Sequence, residues 1–347
     1  MITNALLVGA GLSISPHLAA LRGGGIIAVD IVSGNPRNVD RVRAVIPQGR
    51  TFQTLQNAIE AGAHGDAQKF AVVATPPSMH LQQISDLAGA GYDVLVEKPI
   101  AHTYHQSLAA VSAAESRGRR LFVCLQHRYK ESATAAAEIL ARGDIGDVVG
   151  ASITVPWYRP QSYYDEPGRG TLERDGGGVL ITQAIHVLDL YLFLLGPVRA
   201  VASFTQTHSH QMPTEDLVGA VLHHQNGGIS TLLATTATRP GSSECITIMG
   251  TAGQLRLSGS GLYKRTTKED PADEKCLLTP GAISTGSDPT DMLPWYRHLY
   301  ADILPAIPGG QPTRVDARRV LHTHQVMDAI YSSARSGTTT YLSENIR

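Results

Sequence analysis

The strongest constraint on the fold is a short apolar run that ends directly in glycines. Residues 5–8 are apolar, Gly9-Ala10-Gly11 follows at once, and a helical pattern carrying Leu18 and Leu21 comes next. A strand that enters a helix through Gly-x-Gly leaves backbone N–H groups at the helix start free to hold a phosphate. We therefore expect a first strand–turn–helix unit, although Ile14 replaces the third glycine of the usual fingerprint.

The rest of the first half repeats the alternation of strand and helix. Apolar, β-rich runs occupy residues 26–32, 70–74, 92–96 and 121–125, and helical patterns begin at Pro36, His80 and Thr103. Alternation of this kind predicts right-handed βαβ units and a doubly wound parallel sheet. The sequence predicts a dinucleotide-binding Rossmann domain over residues 1–128.

The pattern changes after Arg128 to long β runs with few helices. A helix is predicted over residues 130–142 and a second over 179–195, and residues 264–294 are expected to form a loop. The predicted strands of this half share hairpin-type turns between neighbours; they are residues 147–158, 198–208, 216–224, 228–237 and 244–250. Residues 129–347 are therefore predicted to be an α+β domain with a large open, mostly antiparallel sheet.

Composition excludes several classes of protein. The 347 residues carry 29 Lys+Arg and 30 Asp+Glu, so no basic face for nucleic acid is expected. Glycine and polar residues interrupt every candidate for an apolar run of about 18 residues, so no membrane span is expected. The three cysteines and the histidine pairs lack metal-ligand spacing, so no metal is predicted. The cysteine usage and an N-terminus without a basic leader predict a cytoplasmic protein.

The end of the second predicted strand carries the cofactor preference. Asp30 lies 21 residues after Gly9, near the spacing of an acid that binds the adenosine ribose, but Ile31 and Val32 continue the strand beyond it. The strand then ends at Ser33, and Arg37 follows. A serine with a nearby arginine suits a 2′-phosphate, so NADP is slightly favoured over NAD. Ribose binding by Asp30 stays open as the alternative.

Glu97-Lys98-Pro99 follows a very apolar predicted strand. Its charged pair would therefore stand at the carboxyl edge of the parallel sheet, where ligands bind in such folds. A lysine there can hold a substrate hydroxyl and assist its deprotonation, with Glu97 to orient it. A surface ion pair is the alternative interpretation.

Several motifs in order resemble the Gfo/Idh/MocA family of NAD(P)-dependent oxidoreductases. They are the glycine turn with His17 eight residues after Gly9, Thr75-Pro76-Pro77 with His80, Glu97-Lys98-Pro99, and Gln126-His127-Arg128. Together with the first turn and the end of the second strand, the resemblance implies these cofactor-binding residues: Gly9, Gly11, Leu12, Ser13, Ser33, Asn35, Arg37, Ala74, Thr75, Pro76, His80, Glu97, Lys98, Gln126 and Arg128.

The predicted helix 179–195 carries a second candidate catalytic residue. Thr182, His186 and Asp189 are spaced i, i+4, i+7 and share one helical face. A histidine on so apolar a helix is by itself more often a core residue. The resemblance instead implies that His186 is the family's catalytic histidine. Family members usually carry Asp or Asn where this chain has Thr182, so Lys98 and His186 are expected to carry the acid–base work.

Three further segments are similar to a branch of the family that acts on nucleotide-linked amino sugars and related sugars. They are residues 157–164, Arg169-Gly170-Thr171 and the glycine run 176–178. Gly168 stands where that branch commonly has tryptophan. Packing at a subunit interface is the alternative for the aromatic residues. The predicted substrate-binding residues are Tyr158, Arg159, Tyr164, Arg169, Thr182 and Gln183.

The motifs together predict hydride transfer between a nicotinamide cofactor and a carbinol or keto carbon of a sugar, sugar derivative or cyclitol. Two alternatives stay open: a non-catalytic dinucleotide-binding sensor of the same fold, and an NADPH-dependent reductase of a non-sugar keto, diol or imine substrate. An open sheet in the second domain would pair with another copy, so a homodimer or homotetramer is expected.

Overall fold

The computed structural model describes residues 2–11, 14–62, 68–267, 274–281 and 292–343. Its chain divides into two units. Unit 1 comprises Met1–Gln126 and Pro289–Leu321, and unit 2 comprises His127–Asp288 and His322–Arg347. Each unit has its own sheet and its own buried core.

Within the described residues, unit 1 contains a sheet of six strands in the order β3-β2-β1-β4-β5-β6, all of them parallel. The central strands are buried along almost their whole length, as expected where helices cover both faces. The strands are β1 (Asn4–Val8), β2 (Ala28–Val32), β3 (Thr51–Phe52), β4 (Lys69–Val73), β5 (Tyr92–Val96) and β6 (Leu121–Val123). The predicted doubly wound parallel sheet is confirmed.

The helices of unit 1 begin where local sequence provides a cap. Asn35 caps one helix through its side-chain oxygen and Thr103 caps another through its hydroxyl. The helices are α1 (Ile14–Gly23), α2 (Pro36–Val45), α3 (Leu55–Glu60), α4 (His80–Gly89), α5 (Tyr104–Glu115) and, later in the chain, α10 (Leu293–Gly309). The short elements β3 and α3 were not predicted, because two strand residues and six helical residues give too little periodicity to detect.

Unit 2 contains, among the described residues, a sheet of nine strands in the order β14-β13-β12-β11-β7-β10-β9-β8-β15. Neighbouring strands are antiparallel except β7 and β10, which run parallel. The strands are β7 (Val148–Pro156), β8 (Val198–Gln206), β9 (Leu217–His224), β10 (Ile229–Thr235), β11 (Cys245–Gly250), β12 (Gly253–Ser258), β13 (Gly261–Thr266), β14 (Lys275–Leu278) and β15 (Thr340–Tyr341). The predicted mostly antiparallel sheet is confirmed.

The prediction of a loop over residues 264–294 is wrong at both ends of this segment and in its middle. Strand β13 continues to Thr266, β14 pairs with it, and α10 begins at Leu293. The charged and glycine-rich composition that suggested a loop reflects an edge strand, which is held by backbone pairing and needs few apolar side chains. Residues 268–273 and 282–291 of this segment lie outside the described residues.

The helices of unit 2 include α6 and α9, which contact strands of its sheet, and a π-helical turn. They are α6 (Glu131–Ala141), α7 (Gln161–Tyr164), α8 (Leu172–Asp175), the π-helical turn Leu180–Ala184, α9 (Ile185–Leu195) and the larger part of α11 (Ala317–Ser336). The segment Leu172–Leu195 is long and apolar enough by composition to cross a membrane, contrary to the expectation from the sequence. Since 72% of its apolar window is buried inside the structure, it is accounted for as a core helix.

The chain returns to unit 1 between strands β14 and β15 of the second sheet, which a single division near residue 128 does not anticipate. The backbone N–H of Val123 donates to Val315 O at 3.0 Å, and Arg120 forms an ion pair with Asp316 at 2.7 Å. These bonds extend the edge of the first sheet with residues that follow α10. Sequence pattern could not show this, because both partners are short and separated by almost 200 residues.

Candidate active site

The glycine turn of unit 1 is fixed by packing at its first glycine. Gly9 has φ +82°, and a Cβ built there would lie 2.8 Å from both Ala74 O and Thr75 Cγ2. Its N–H donates to Val32 O, and Ala74 N–H donates to Val8 O. Only glycine fits this position, because the turn passes directly against the loop that follows β4.

The second glycine has the opposite surroundings. Gly11 is exposed, and no heavy atom lies within 4 Å of a Cβ built on it. Its carbonyl accepts hydrogen bonds from the N–H of Ile14, at the start of α1, and from Nη1 of Arg41, which lies in α2. An open backbone at a helix N-terminus fits the pyrophosphate of a dinucleotide. Leu12 and Ser13, which belong to the same prediction, lie outside the described residues.

Asp30 lies within β2, whereas the residues from Ser33 to Arg37 follow the end of that strand. The Asp30 carboxylate accepts hydrogen bonds from Arg50 N, Nε and Nη2 at 2.7, 3.0 and 2.6 Å. Ser33 follows the strand, its hydroxyl accepts the N–H of Asn35, and Asn35 Oδ1 accepts the N–H of Arg37. Since Asp30 is engaged by Arg50, the loop from Ser33 to Arg37 is the better candidate for ribose contact.

The loops after β4 and β5 are tied together by His80. Its two ring nitrogens lie 2.9 Å from Thr75 O and 3.0 Å from Pro99 O, and burial lowers its pKa. Thr75 Oγ1 donates to Gln83 Oε1 at 2.6 Å, and Pro76 leads into the turn before α4. His80 was predicted to bind cofactor; the structure gives it contacts that hold two ligand-facing loops in place.

Glu97 and Lys98 follow β5, as predicted, and a buried network holds Glu97. Glu97 Oε1 lies 2.8 Å from His17 Nε2, whose Nδ1 lies 2.7 Å from the Tyr300 hydroxyl. Glu97 Oε2 accepts the N–H of Lys98 at 3.1 Å. Burial opposes ionisation, but the bond from His17 and the charge of Lys98 outweigh it, so the pKa of Glu97 is lowered. An ionised Glu97 therefore fixes the backbone at Lys98.

Cys124 completes a cluster of donor atoms around His17. One ligand-type atom from each of His17, Glu97 and Cys124 lies within 4.8 Å of the other two. Burial raises the pKa of the Cys124 thiol well above its usual value, and the His17 nitrogen is already bonded to the carboxylate. The cluster was not found from sequence, because its members are about 80 and 107 residues from His17.

Gln126 and Arg128 stand at the start of the segment that leaves the first sheet. Gln126 Nε2 lies 3.4 Å from Met292 Sδ, and its Oε1 is buried with no protein partner among the described residues. Arg128 instead pairs with Asp189 through two bonds of 2.7 and 2.6 Å, and its guanidinium packs over Phe193. This buried ion pair lies within unit 2, so the geometry gives Arg128 a structural role and does not favour the predicted cofactor contact.

His186 lies in the first turn of α9 and is partly exposed. Its ring stacks on that of His127, with centroids 4.8 Å apart and planes 26° apart. The π-helical turn ends one residue before α9. Because a π turn holds an extra residue, the α-helical spacing used to place Thr182 beside His186 does not apply across it. Thr182 Oγ1 donates to Gly178 O at 2.6 Å.

Gln183, in the same π turn, is the predicted substrate residue with the clearest structural signal. Its side chain is 95% buried, and neither Nε2 nor Oε1 has a protein partner within the described residues. A buried amide costs free energy unless it is hydrogen-bonded, so this side chain is a candidate for a ligand contact. π-Helical turns occur frequently at functional sites.

The four predicted contact residues between β7 and α8 form one aromatic–arginine group. Arg159 lies 5.7 Å from the Tyr163 ring, and Arg169 lies 4.5 Å from the same ring while bonding Glu166. Tyr164 is buried, and its hydroxyl lies 2.7 Å from Thr236 Oγ1. Burial raises its pKa to about 12, so it stays neutral. Tyr158 is covered by Arg239, whose guanidinium lies 4.5 Å from its ring.

Glu215 and Asp216 are two buried acids that sequence reasoning missed. Glu215 accepts hydrogen bonds from Gly178 N and Leu180 N, and Asp216 accepts three from residues 208–210. The sequence carried one signal for them: two adjacent acids at the start of the strand predicted over residues 216–224, which has a buried face.

The chain belongs to the GFO/IDH/MocA family of oxidoreductases. Residues 3–125 match the oxidoreductase family's NAD-binding Rossmann fold, and residues 133–256 match the GFO/IDH/MocA C-terminal domain. The fold, the glycine turn and the residues after β5 agree with this membership. The predicted family is confirmed, and the chain is an NAD(P)-dependent oxidoreductase.

Relatives span nearly the whole chain. A D-apiose dehydrogenase of Paraburkholderia graminis is 26% identical over 97% of this chain and 88% of its own length. A D-xylose 1-dehydrogenase (NADP(+)) of Haloferax volcanii is 25% identical over 82% of this chain and 83% of its own. The crystal structure of the WlbA dehydrogenase from Bordetella pertussis, with NADH and UDP-GlcNAcA, is 27% identical with TM-score 0.82, covering 98% and 99% of the two chains.

Gly11→Ala should weaken cofactor binding without weakening the fold. The added methyl group meets no protein atom within 4 Å, so the melting temperature should stay within about 2 °C. The same methyl group would occupy the space of a phosphate, and the cofactor dissociation constant should rise about tenfold or more. Fluorescence titration with NADH and NADPH measures both constants.

Gly23→Ala is the matched control, because it also meets no atom within 4 Å and lies at the other end of α1. Unchanged affinity in Gly11→Ala would show that the phosphate does not lie against this turn.

Proposed function

We propose that this oxidoreductase transfers a hydride between nicotinamide and a carbinol or keto carbon of a sugar, sugar derivative or cyclitol, with Lys98 and His186 as its acid–base pair. The observation that carries the proposal is that an ionised, largely buried Glu97 fixes the backbone of Lys98 at the carboxyl edge of a dinucleotide-binding sheet. Ligands of such sheets bind at that edge.

The roles follow from the chemistry of each side chain. In the oxidative direction His186 accepts the proton of the reacting hydroxyl, and the Lys98 ammonium donates a hydrogen bond to the developing alkoxide. A bound nicotinamide cofactor would supply the hydride acceptor. Thr182 has no carboxylate, so the proton leaves through His186, and Thr182 serves as a hydrogen-bonding partner for the substrate.

The substrate class is proposed from the aromatic–arginine group and Gln183. Aromatic faces pack against sugar rings, and the buried Gln183 amide supplies a donor and an acceptor for hydroxyl groups. Tyr158, Arg159, Tyr164 and Arg169 are proposed to line or support this site. Relatives named for D-apiose, D-xylose and a UDP-linked sugar agree with a sugar-type substrate.

The cofactor is proposed to be NADP in preference to NAD. Asp30 is engaged by Arg50, which leaves Ser33, Asn35 and Arg37 to meet the ribose, and no carboxylate of this loop would repel a 2′-phosphate. The Haloferax volcanii relative is named for NADP(+), whereas NADH is bound in the Bordetella pertussis structure.

The exposed face of the second sheet is proposed to pair with a second copy of this chain, giving a homodimer or homotetramer in the cytoplasm. Phe204, Gly219 and Leu233 lie side by side across β8, β9 and β10. Phe204 is 82% exposed, Leu233 is also exposed, and Gly219 between them adds no side chain. An apolar row of this kind on an open sheet is typical of a protein interface.

A non-catalytic sensor is the second candidate. Thr182 favours it, because this residue replaces the Asp or Asn that family members usually carry. Lys98 and His186 are retained, which favours catalysis. An NADPH-dependent reductase of a non-sugar keto, diol or imine substrate would use the same residues with a different ligand.

Lys98→Ala and His186→Ala should each lower kcat/KM by about a hundredfold or more, because each removes a proton-transfer or charge-stabilising group. Turnover is followed by reduced-nicotinamide absorbance with D-apiose, D-xylose and UDP-linked sugars, each with NAD⁺ and NADP⁺. Lys275→Ala and His105→Ala, which change exposed residues, are the controls. Near wild-type rates in both active-site variants contradict the acid–base assignment. Tight cofactor binding favours the sensor if no ligand is turned over, keto and imine substrates included.

Arg37→Ala should raise KM for NADPH about tenfold and leave KM for NADH within about twofold, because only NADPH carries the 2′-phosphate that the guanidinium would hold. The measurement is the ratio of kcat/KM for the two cofactors. Arg22→Ala, which changes an arginine in the last turn of α1, is the control. An equal effect on both cofactors contradicts the NADP preference.

Phe204→Asp should dissociate the proposed oligomer, because a charge placed in an apolar interface loses its hydration. Light scattering coupled to size-exclusion chromatography gives the mass. Thr231→Asp changes an exposed position on the same face of β10, two residues from Leu233, and tests how far the interface extends. A wild-type protein of monomer mass at micromolar concentration contradicts the proposal.

A further inference from the structure

Three consecutive polar residues are buried immediately before β9. Thr214, Glu215 and Asp216 are 5%, 7% and 0% exposed. Burying two adjacent carboxyl groups is costly unless each is fully hydrogen-bonded. Their partners therefore show what this segment, called the anchor segment below, does.

Glu215 binds the N-terminus of the helical segment that carries His186. Its two carboxyl oxygens accept hydrogen bonds from Gly178 N at 2.9 Å and Leu180 N at 3.0 Å, and its backbone carbonyl accepts Val179 N at 2.8 Å. The Tyr331 hydroxyl donates to Oε1 at 2.9 Å. A carboxyl group at this position satisfies backbone N–H groups that a helix leaves without partners.

The contact at Gly178 is close enough to require glycine. A Cβ built there would lie 1.8 Å from the carbonyl oxygen of Glu215. The glycine run before the helix thus lets two backbones meet, and the position of the helix start is set by the anchor segment.

Asp216 binds a different part of the predicted substrate site. It accepts the backbone N–H groups of His208, Ser209 and His210 at 2.7 to 2.9 Å, and the His210 ring nitrogen Nδ1 lies 2.8 Å away. The other ring nitrogen of His210 lies 2.9 Å from Arg159 O, and its ring packs 4.6 Å from that of Tyr164. Asp216 therefore holds the loop of residues 208–210, whose His210 contacts Arg159 and Tyr164.

Thr214 adds the third connection. Its hydroxyl donates to Gly170 O at 2.7 Å, directly after Arg169, and its carbonyl accepts the Thr207 hydroxyl at 2.6 Å. The Asp216 carbonyl also accepts Thr236 N, and the Thr236 hydroxyl meets Tyr164. The helix start at Gly178–Leu180 and the loop at Gly170 are thus bonded directly to the anchor segment, and Arg159 and Tyr164 are reached through His210 and Thr236.

The two carboxyl groups differ in electrostatics. Burial raises the pKa of Glu215 above its ordinary value in spite of the N–H groups around it. Burial also opposes ionisation of Asp216, but the N–H groups of residues 208–210 outweigh it and the pKa is lowered. The ionised form is thus favoured at Asp216 and disfavoured at Glu215.

We infer that Thr214-Glu215-Asp216 is the positioning element of the substrate site, with Glu215 setting the position of His186 and Asp216 setting that of the Arg159–Tyr164 contact group. The inference rests on the proposed function for the meaning of those two groups. Under this inference the two neighbouring acids affect different kinetic constants: Glu215 mainly affects kcat, and Asp216 mainly affects KM.

Glu215→Gln should lower kcat about tenfold with little change in KM, since one of the two helix N–H groups then faces an amide N–H and the helix start shifts. Asp216→Asn should raise KM about tenfold with a smaller effect on kcat, because the loop under Arg159 and Tyr164 loses a bond. Glu138→Gln and Asp147→Asn, both on the surface, are the matched controls.

Hydrogen exchange followed by mass spectrometry provides a readout that does not require a substrate. Amides of residues 178–186 should exchange faster in Glu215→Gln, and those of 207–211 faster in Asp216→Asn, each without change at the other segment. Tyr331→Phe, which removes one bond from Glu215, should reproduce the first pattern at smaller amplitude and serves if Glu215→Gln does not fold.

The inference is overturned if exchange is unchanged in both segments, or if both variants lower kcat and raise KM alike. Full activity of His186→Ala contradicts the proposed function, whereas unchanged exchange contradicts the anchor segment alone. The two failures are therefore distinguishable.

Discussion

A carboxylate removed from water must be surrounded by N–H groups or cations, and much of this structure follows from meeting that need. Asp30 is enclosed by Arg50, Glu97 by His17 and the backbone at Lys98, and Asp189 by Arg128. The side-chain partners are 20 residues apart for Asp30 and Arg50, 80 for Glu97 and His17, and 61 for Asp189 and Arg128. Because a buried acid fixes its partners in position, the acids determine where the loops after the strands lie.

Within unit 1 this requirement supports a dinucleotide site. Gly9 is packed against the loop after β4, while Gly11 faces open space, so one glycine builds the turn and the other leaves room for a ligand. His80 and His17 then hold the two loops that follow β4 and β5. The result is a fixed sheet edge with Lys98 on it.

The outcome at individual residues shows what sequence reasoning reaches. The Gly-x-Gly turn, the strand before Glu97 and the helix before Gly196 were predicted because local periodicity and glycine positions carry them. The ion pair of Arg128 with Asp189 was not predicted, because the two residues are 61 positions apart, and the cofactor contact of Arg128 stays a prediction. The π turn before His186 also escaped prediction, because one inserted residue hardly alters an apolar pattern.

The sequence by itself determined the two kinds of sheet, the alternation of strands and helices in the first, the family, and the residue types available at the candidate site. Hydrophobic periodicity and glycine are local, so they can be read along the chain. Only the tertiary structure decided which buried acids meet which N–H groups: Glu215 with the helix of His186, Asp216 with the loop under Arg159, and Glu97 with His17. These choices depend on desolvation and on contacts between distant segments, which no local pattern records.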